Sequence, residues 1–474
     1  MERLRAQAVR LIAATLVALS GLGLTAGCGE SEQSDPRLPE VDKRAREKWG
    51  KSYDELETVR LVVISPHNVD IEKEYEAAFT LHHAVEYGQK VDIEWRDVGG
   101  GGSAILRFLR ERYQRDKTSD IDVVWGGGDY NFRKMASENI LQPMEIPPDA
   151  LANIPERFCG LRMYDERHRW CGSAISGFGF LYNAPLLESL KRSPPRRWED
   201  LADPRFHGLI GLADPTQSGS ATGAYAMIIQ SAGDWQKGWA RLLGILGNVK
   251  KFYAGAGDAA DAPGLGEAPL ATCIDFYGVN RVAKYPNSLV YVSPKGQTAF
   301  SPDPIAILAN PPHPQLAQRF VDYVLSEEGQ AMWALRVGAD GGPIRSPLGR
   351  QPIRKDVYDK YARQFLDRVI NPYEAGYEME LDIELWSVTF GVLRQLVYAA
   401  AVSNRDGLTA ARKKLIDSGF DADLLAEFNR LPDNVATIEQ ARRTGGLLRN
   451  KKQADVIVTD WTRFFHEKYR RISQ

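Results

Sequence analysis

From Thr58 onward, apolar stretches of two kinds alternate along the chain. VRLVVIS, KVDIEWRDV and IDVVWGG have the length and β-branched content of strands. Between them lie helical patterns, one from about Glu72 to Tyr87 and one in AILRFLRERYQ, where Ile105, Phe108 and Leu109 share a face. Strands alternating with helices predict a parallel sheet covered on both faces. The loops at Ser65-Pro66-His67-Asn68, at Gly99–Gly102 before Ser103, and at Gly126-Gly127-Gly128 before Asp129 each follow a strand. They should therefore share the carboxyl edge, where such sheets bind ligands.

A second unit starts near Ser173. SGFGFLYNAPLL reads as extended, SPPRRWEDLADPRFHG as turns, LIGLA as a strand, and AYAMIIQSAG as a helix. Thr216, Ser218, Gly219, Ser220 and Thr222 lie at the start of that helix. Unsatisfied N–H groups there, beside hydroxyls, can hold an anion, or one serine can simply cap the helix. Leu270 to Ile274 then delivers Asp275-Phe276-Tyr277 to another helix start. LVYVSPKGQ and DPIAILAN are extended, and QLAQRFVDYVLSEEGQAMW reads as one helix with Leu316, Phe320 and Val324 four apart.

The segment before Thr58 differs in kind. Arg3, Arg5 and Arg10 precede the uncharged run LIAATLVALSGLGL, then Thr25-Ala26-Gly27-Cys28, the layout of a cleavable secretion signal. The run is short for a membrane span. LTAGC resembles a bacterial lipobox, with Thr25 where a leucine is usual. The resemblance implies a signal peptide over residues 1–27, lipidation at Cys28, and placement at the cell envelope facing the periplasm. Residues 28–57 read as tether and linker. Export permits disulfides. Cys159 and Cys171 flank MYDERHRW, a polar hairpin tip, so they either pair across it or remain buried thiols.

Composition narrows the function. Sixty basic against 62 acidic residues among 474 leave a net charge of −2, with no global basic field for nucleic acid. The 43% hydrophobic and 26% charged content is that of a folded globular chain. No GxSxG, HExxH, P-loop or dinucleotide motif stands in a suitable context, which argues against an enzyme, and no cofactor is indicated.

IDVVWGGGDYNF, GFGFLYNAPLL, RRWEDLADPRFHGLIGLADPTQSGS, SPDPIAILANPPHPQLAQRFVDYVLSEEGQ and GGPIRSPL carry a resemblance over roughly Thr58 to Arg354. They resemble the extracellular solute-binding proteins of ABC importers, in the branch of ferric-iron, 2-aminoethylphosphonate and sugar-phosphate binders. The resemblance implies an α/β periplasmic-binding fold of type II, with two lobes, a cleft and hinge crossovers near Ala174–Phe178 and Ser293–Ser301. Lobe one is expected over 58–173 plus 302–371 and lobe two over 174–301. It implies a monomer that hands a small anionic or polar solute to an ABC permease; a sensor that feeds a receptor is the alternative. Ser65, Ser103, Gly127, Ser218 and Ser220 are the expected donors, with Asp129 and Gly219 beside them. Iron-binding relatives present adjacent tyrosines where Asp275-Phe276-Tyr277 stands here. Phe276 argues against a metal; were one bound, His67, Asp275 and Tyr277 would hold it. Otherwise Tyr277 is a cleft-wall aromatic.

The resemblance fades after Lys355. IELWSVTFGVLRQLVYAAAV, DADLLAEFN and VTDWTRFFHEKYRRI are helical, with a wet stripe at Glu384, Ser387, Gly391, Arg394 and Tyr398. This extension, 372–474, is expected to cap lobe one or to dock a partner. Arg442, Arg443, Arg449, Lys451 and Lys452 read as a solvated basic loop.

Overall fold

A computed structural model describes residues 35–474 except 368, 375, 377 and 378. The expected signal and Cys28 lie outside the described residues.

Two five-stranded sheets form the two lobes. Sheet one contains β1 (Glu57–Ile64), β2 (Gln89–Arg96), β3 (Val123–Trp125), β6 (Cys171–Ser176) and β12 (Ser301–Ile307), in the order β2-β1-β3-β12-β6. β1, β2 and β3 run parallel and β12 runs against its neighbours. Between β3 and β6, beside the helices Asp129–Ser137 and Pro148–Asn153, the described strands are those of a short hairpin, β4 (Arg157–Phe158) and β5 (Leu161–Arg162). Sheet two contains β7 (Phe178–Asn183), β8 (Ile210–Ala213), β9 (Val249–Tyr253), β10 (Leu270–Ile274) and β11 (Leu289–Val292), in the order β11-β7-β10-β8-β9. This is the two-lobed α/β architecture expected. Both sheets are buried under helices, with Leu61, Val63, Trp125, Leu212 and Leu270 fully inside.

The chain passes from sheet one to sheet two at Gly177 and back over residues 293–300. A Cβ on Gly177 would press into the Phe300 ring, so the two crossovers can touch only because this position is glycine. A third segment joins them: Ile175 N donates to Gln351 O at 3.0 Å, and Asn280 Nδ2 of lobe two to Leu348 O at 3.3 Å.

Four expectations change. Part of the expected tether folds: Leu38–Trp49 is a helix whose Val41 and Ala45, four apart, pack on Leu81, Ala84 and Val85. The long helix after β12 is two, Pro314–Leu325 and Glu327–Ala331. Ser326 is extended, and its Oγ accepts Gly329 N at 3.1 Å, capping the second. Cys159 and Cys171 form no disulfide; both are buried thiols. The hairpin tip closes Tyr164 against Cys171, whereas Cys159 occupies the tight turn between β4 and β5.

The fourth change concerns the C-terminal helices, which pack mainly on lobe two, with the helix Ile383–Val397 also reaching lobe one. Arg412 of the helix Arg405–Asp417 lies over Gly244 and Gly247 of the helix Trp235–Gly247, where the absence of side chains lets it approach. Its Nε donates to Asn248 Oδ1 at 3.2 Å and its Nη2 to Ala202 O. Burial pushes its pKa down to about 10, so it stays charged. Trp235 Nε1 donates to Val435 O at 3.0 Å. Arg442, Arg443, Arg449, Lys451 and Lys452 are exposed, on two helices and the turn between them.

Candidate functional site

The carboxyl ends of β1, β2 and β3 meet as expected. His67 lies against Gly126, and Gly102 against Gly127, at separations that leave no space for a Cβ. Gly126, Gly127 and Gly128 have φ of 84°, 106° and 84°, left-handed values open to glycine. The turn aims the N–H groups of Gly127 and Gly128 at a single point, as an anion-binding nest would.

That nest is filled from within. Asp303 Oδ1 accepts Gly127 N at 2.9 Å and Gly128 N at 3.2 Å. Its Oδ2 lies 3.0 Å from His67 Nε2 and 2.7 Å from Arg350 Nη2. Asp303 stands on β12 between Pro302 and Pro304, at a register shift of the strand. Prolines cannot complete the ladder, and a bulge there re-aims a side chain. Burial alone would raise the carboxyl's pKa. The Arg350 charge and the His67 hydrogen bond outweigh it, and Asp303 lies far below the ordinary carboxylate range.

Arg350 links the lobes. Nη1 lies 2.8 Å from His67 Nε2, Nη2 donates to Ser176 Oγ at 3.3 Å, and the guanidinium lies 4.6 Å from the Phe276 ring and 5.2 Å from Trp333. Burial lowers the His67 pKa, leaving the imidazole neutral. Its Nε2 therefore either donates to Asp303 or accepts from Arg350. Among the described residues, His67 Nδ1 and Arg350 Nε have no hydrogen-bond partner.

The other expected residues divide into two sets. Ser65 Oγ accepts His67 N at 3.0 Å and holds the first loop. Ser103 is exposed on the first turn of the helix Gly102–Arg115. Ser218 caps the helix Gly219–Gln230, its Oγ accepting Ala221 N at 3.2 Å and lying 3.1 Å from Ser220 Oγ. Gly219 is exposed and Ser220 half-buried, whereas the hydroxyls of Thr216 and Thr222 are spent on Asp214, Pro215 and Ser218. Asp129 pairs with Arg133 of its own helix at 3.0 Å. Tyr277 packs beside Gly257, with Arg281 5.1 Å from its ring. At this helix start the ring that lies beside Arg350 is that of Phe276, at 4.6 Å.

Asp275 serves the hinge. Oδ2 accepts Gly177 N at 2.7 Å and Gln351 Nε2 at 2.9 Å, and Oδ1 accepts Phe276 N at 2.7 Å. Burial outweighs these donors and raises its pKa to about 7. The unfolded value is about 3.9, so the folded state binds the proton more tightly and stability grows as pH falls. The penalty is absent below about pH 4, grows through the window up to pH 7, and is complete above it. The urea midpoint should be higher at pH 5 than at pH 8, by on the order of 3 kcal/mol of stability from this group. Asp275→Asn should remove most of that difference; an unchanged pH profile would assign it elsewhere.

For a metal, His67, Asp275 and Tyr277 were the expected ligands. His67 and Asp275 are each engaged in the network above, and Arg350 supplies a fixed positive charge at 2.8 Å from the imidazole. Among the described residues, no group of three or more His, Cys, Asp and Glu could hold a metal ion. Asp303 and Arg350 escaped the sequence reading. An acid between two prolines in an apolar strand was a usable signal for Asp303; Arg350 lies in a loop without periodicity.

Residues 121–356 match the family described as bacterial extracellular solute-binding protein. The phosphoglycerate transport regulatory protein PgtC of Salmonella typhimurium is 32% identical over 183 residues, which are 39% of this chain and 43% of that protein. The chain thus spans less than half the length of this relative. In structure it is similar to the periplasmic binding protein AfuA of Actinobacillus pleuropneumoniae, solved with fructose-6-phosphate. The TM-score is 0.50 at 19% identity, covering 76% of this chain and 98% of that one. Iron-bound HitA of Pseudomonas aeruginosa gives a TM-score of 0.51 at 22% identity, covering 68% and 92%. These neighbours share the two-lobed fold.

Proposed function

We propose that this chain, whose two-lobed part belongs to the bacterial extracellular solute-binding family, captures a small anionic solute between its lobes and delivers it to an ABC permease. It is read as a binder, not an enzyme. The observation that carries the reading is the convergence of both sheets' carboxyl edges on Arg350, which touches His67 from lobe one and Phe276 from lobe two. In this reading Ser65, Ser103, Ser218 and Ser220 would supply hydroxyls to the solute, and the helices beginning at Gly102 and Gly219 would supply backbone N–H groups. Neutral donors suit a phosphate or carboxylate without a balancing lysine. The relationship to a phosphoglycerate transport regulatory protein supports the same class.

The test is mass spectrometry of metals and small molecules released from purified protein, followed by calorimetry with 3-phosphoglycerate, inorganic phosphate and ferric citrate. An organic phosphate or carboxylate is the expected cargo. Stoichiometric iron, with a visible phenolate band lost in Tyr277→Phe, would overturn the reading. The word regulatory in that relative's description favours a second reading, a sensor feeding a receptor. Uptake of the bound solute that fails on deletion of this protein supports transport; intact uptake with a lost transcriptional response supports sensing.

Attachment belongs to the same proposal. No helix among the described residues is long and apolar enough to cross a membrane. Lipidation of Cys28 would hold the protein at the envelope. Cys28→Ala should move it to the soluble fraction or block its processing; continued membrane fractionation at mature size would show that another element anchors it.

A further inference from the structure

The helix Ile383–Val397 touches both lobes. Just before it, Leu381 N donates to Cys159 O of lobe one at 3.2 Å, and Asp382 N to Gln230 Oε1 of lobe two at 3.0 Å. Near its far end, Arg394 Nε donates to Pro215 O at 2.9 Å and Nη2 to Thr216 O, grasping the loop that leads into Ser218. Between these points Phe390 stacks on Tyr130, with ring centroids 6.1 Å apart and planes at 17°, and Trp386 backs Phe390 at 5.8 Å. Tyr130 is the second residue of the helix that follows Gly126–Gly128, on the carboxyl edge of sheet one. Pro215 and Thr216 follow β8, on the carboxyl edge of sheet two. A helix of 15 residues is about 22 Å long, enough to run from the hinge along the cleft.

Because Arg394 fastens this helix to lobe two, separating the lobes would pull Tyr130 away from Phe390. We propose that the Tyr130–Phe390 pair is a latch across the cleft, through which the C-terminal extension holds the lobes together and slows release of the solute. Only the effect on release rests on the function proposed above; the latch itself operates without solute. Both rings are half-buried, and stacking geometry within the favourable 4.5–7 Å range gives such a pair about a two- to tenfold influence on the closed-to-open ratio.

Single-molecule energy transfer reads that ratio directly. Dyes at Arg107→Cys in lobe one and Lys250→Cys in lobe two, both exposed positions, are placed in the full chain carrying Cys28→Ser; Cys159, Cys171 and Cys273 are buried. In solute-free protein, Phe390→Ala and Tyr130→Ala should each lower the closed-to-open ratio about two- to tenfold. The double variant should do no more than either single one, because each removes the same contact. Tyr130→Ala changes lobe one alone and so remains informative should Phe390→Ala disturb the extension. An unchanged ratio in Tyr130→Ala, or a double variant whose effect is the product of the singles, overturns the latch. Failure of 3-phosphoglycerate to bind would count against the solute class and leave these ratios as they are.

Discussion

Arg350→Ala should be among the most damaging single changes in the lobes, lowering stability by about 3–5 kcal/mol, the cost of removing one partner from a buried ion pair. Arg350 is 2% exposed and is the only positive charge hydrogen-bonded to Asp303 among the described residues. Without it, Asp303 would remain on the two glycine N–H groups with a neutral imidazole for company. The expected result is a large fall in urea midpoint for Arg350→Ala, partly restored by adding Asp303→Asn, since the second change removes the stranded charge. If the two losses simply add, the residues are not coupled. The wild-type pair also has a pH signature. Asp303 is held below its ordinary range, so its contribution is complete above the unfolded value of about 3.9 and is lost as pH falls further. That loss is opposite in sign to the gain from Asp275 and lies at lower pH.

The second large effect is on affinity. Ser218→Ala with Ser220→Ala removes two hydroxyls from the loop that the extension grasps. A hydrogen bond to a charged group contributes about 1.5–3 kcal/mol, so the pair should weaken binding of an anionic solute on the order of a hundredfold or more. Ser218 also caps its helix through Ala221 N, which should cost the fold only about 1 kcal/mol. Calorimetry with the co-purifying solute, beside a melting curve, separates the two roles. Unchanged affinity would make these serines caps alone, and a collapsed melting temperature would make their role structural.

The alternation of strands and helices was legible because each element announces itself within about ten residues. β3 and β10 fall where short β-branched runs end in glycine or an acid, β1 where one ends at Ser65-Pro66, and the three lobe-one loops share an edge as sheet topology requires. Ser326 was missed because the apolar spacing continues in phase through it, and only its capping geometry breaks the helix. The hub was less legible still. His67 and Asp303 are 236 residues apart, and no local pattern says which acid will enter a glycine turn. Gly127 was expected to hold a solute group; the structure gives its N–H to Asp303 instead. The placement of the C-terminal helices depended on which apolar surface of the lobes was left uncovered, and that surface exists only once Trp235 and Trp239 share a helix face.

That covered surface bears on how the protein can be cut. Trp235, Trp239, Leu242 and Leu246 are buried, beneath helices that the solved two-lobed neighbours need not supply. A fragment trimmed to the usual two-lobe length would bare an aromatic face and leave Asn248 and the Ala202 carbonyl without Arg412. For this chain the smallest soluble unit therefore reaches past the second lobe into the last hundred or so residues, and domain boundaries drawn from relatives would run through its core.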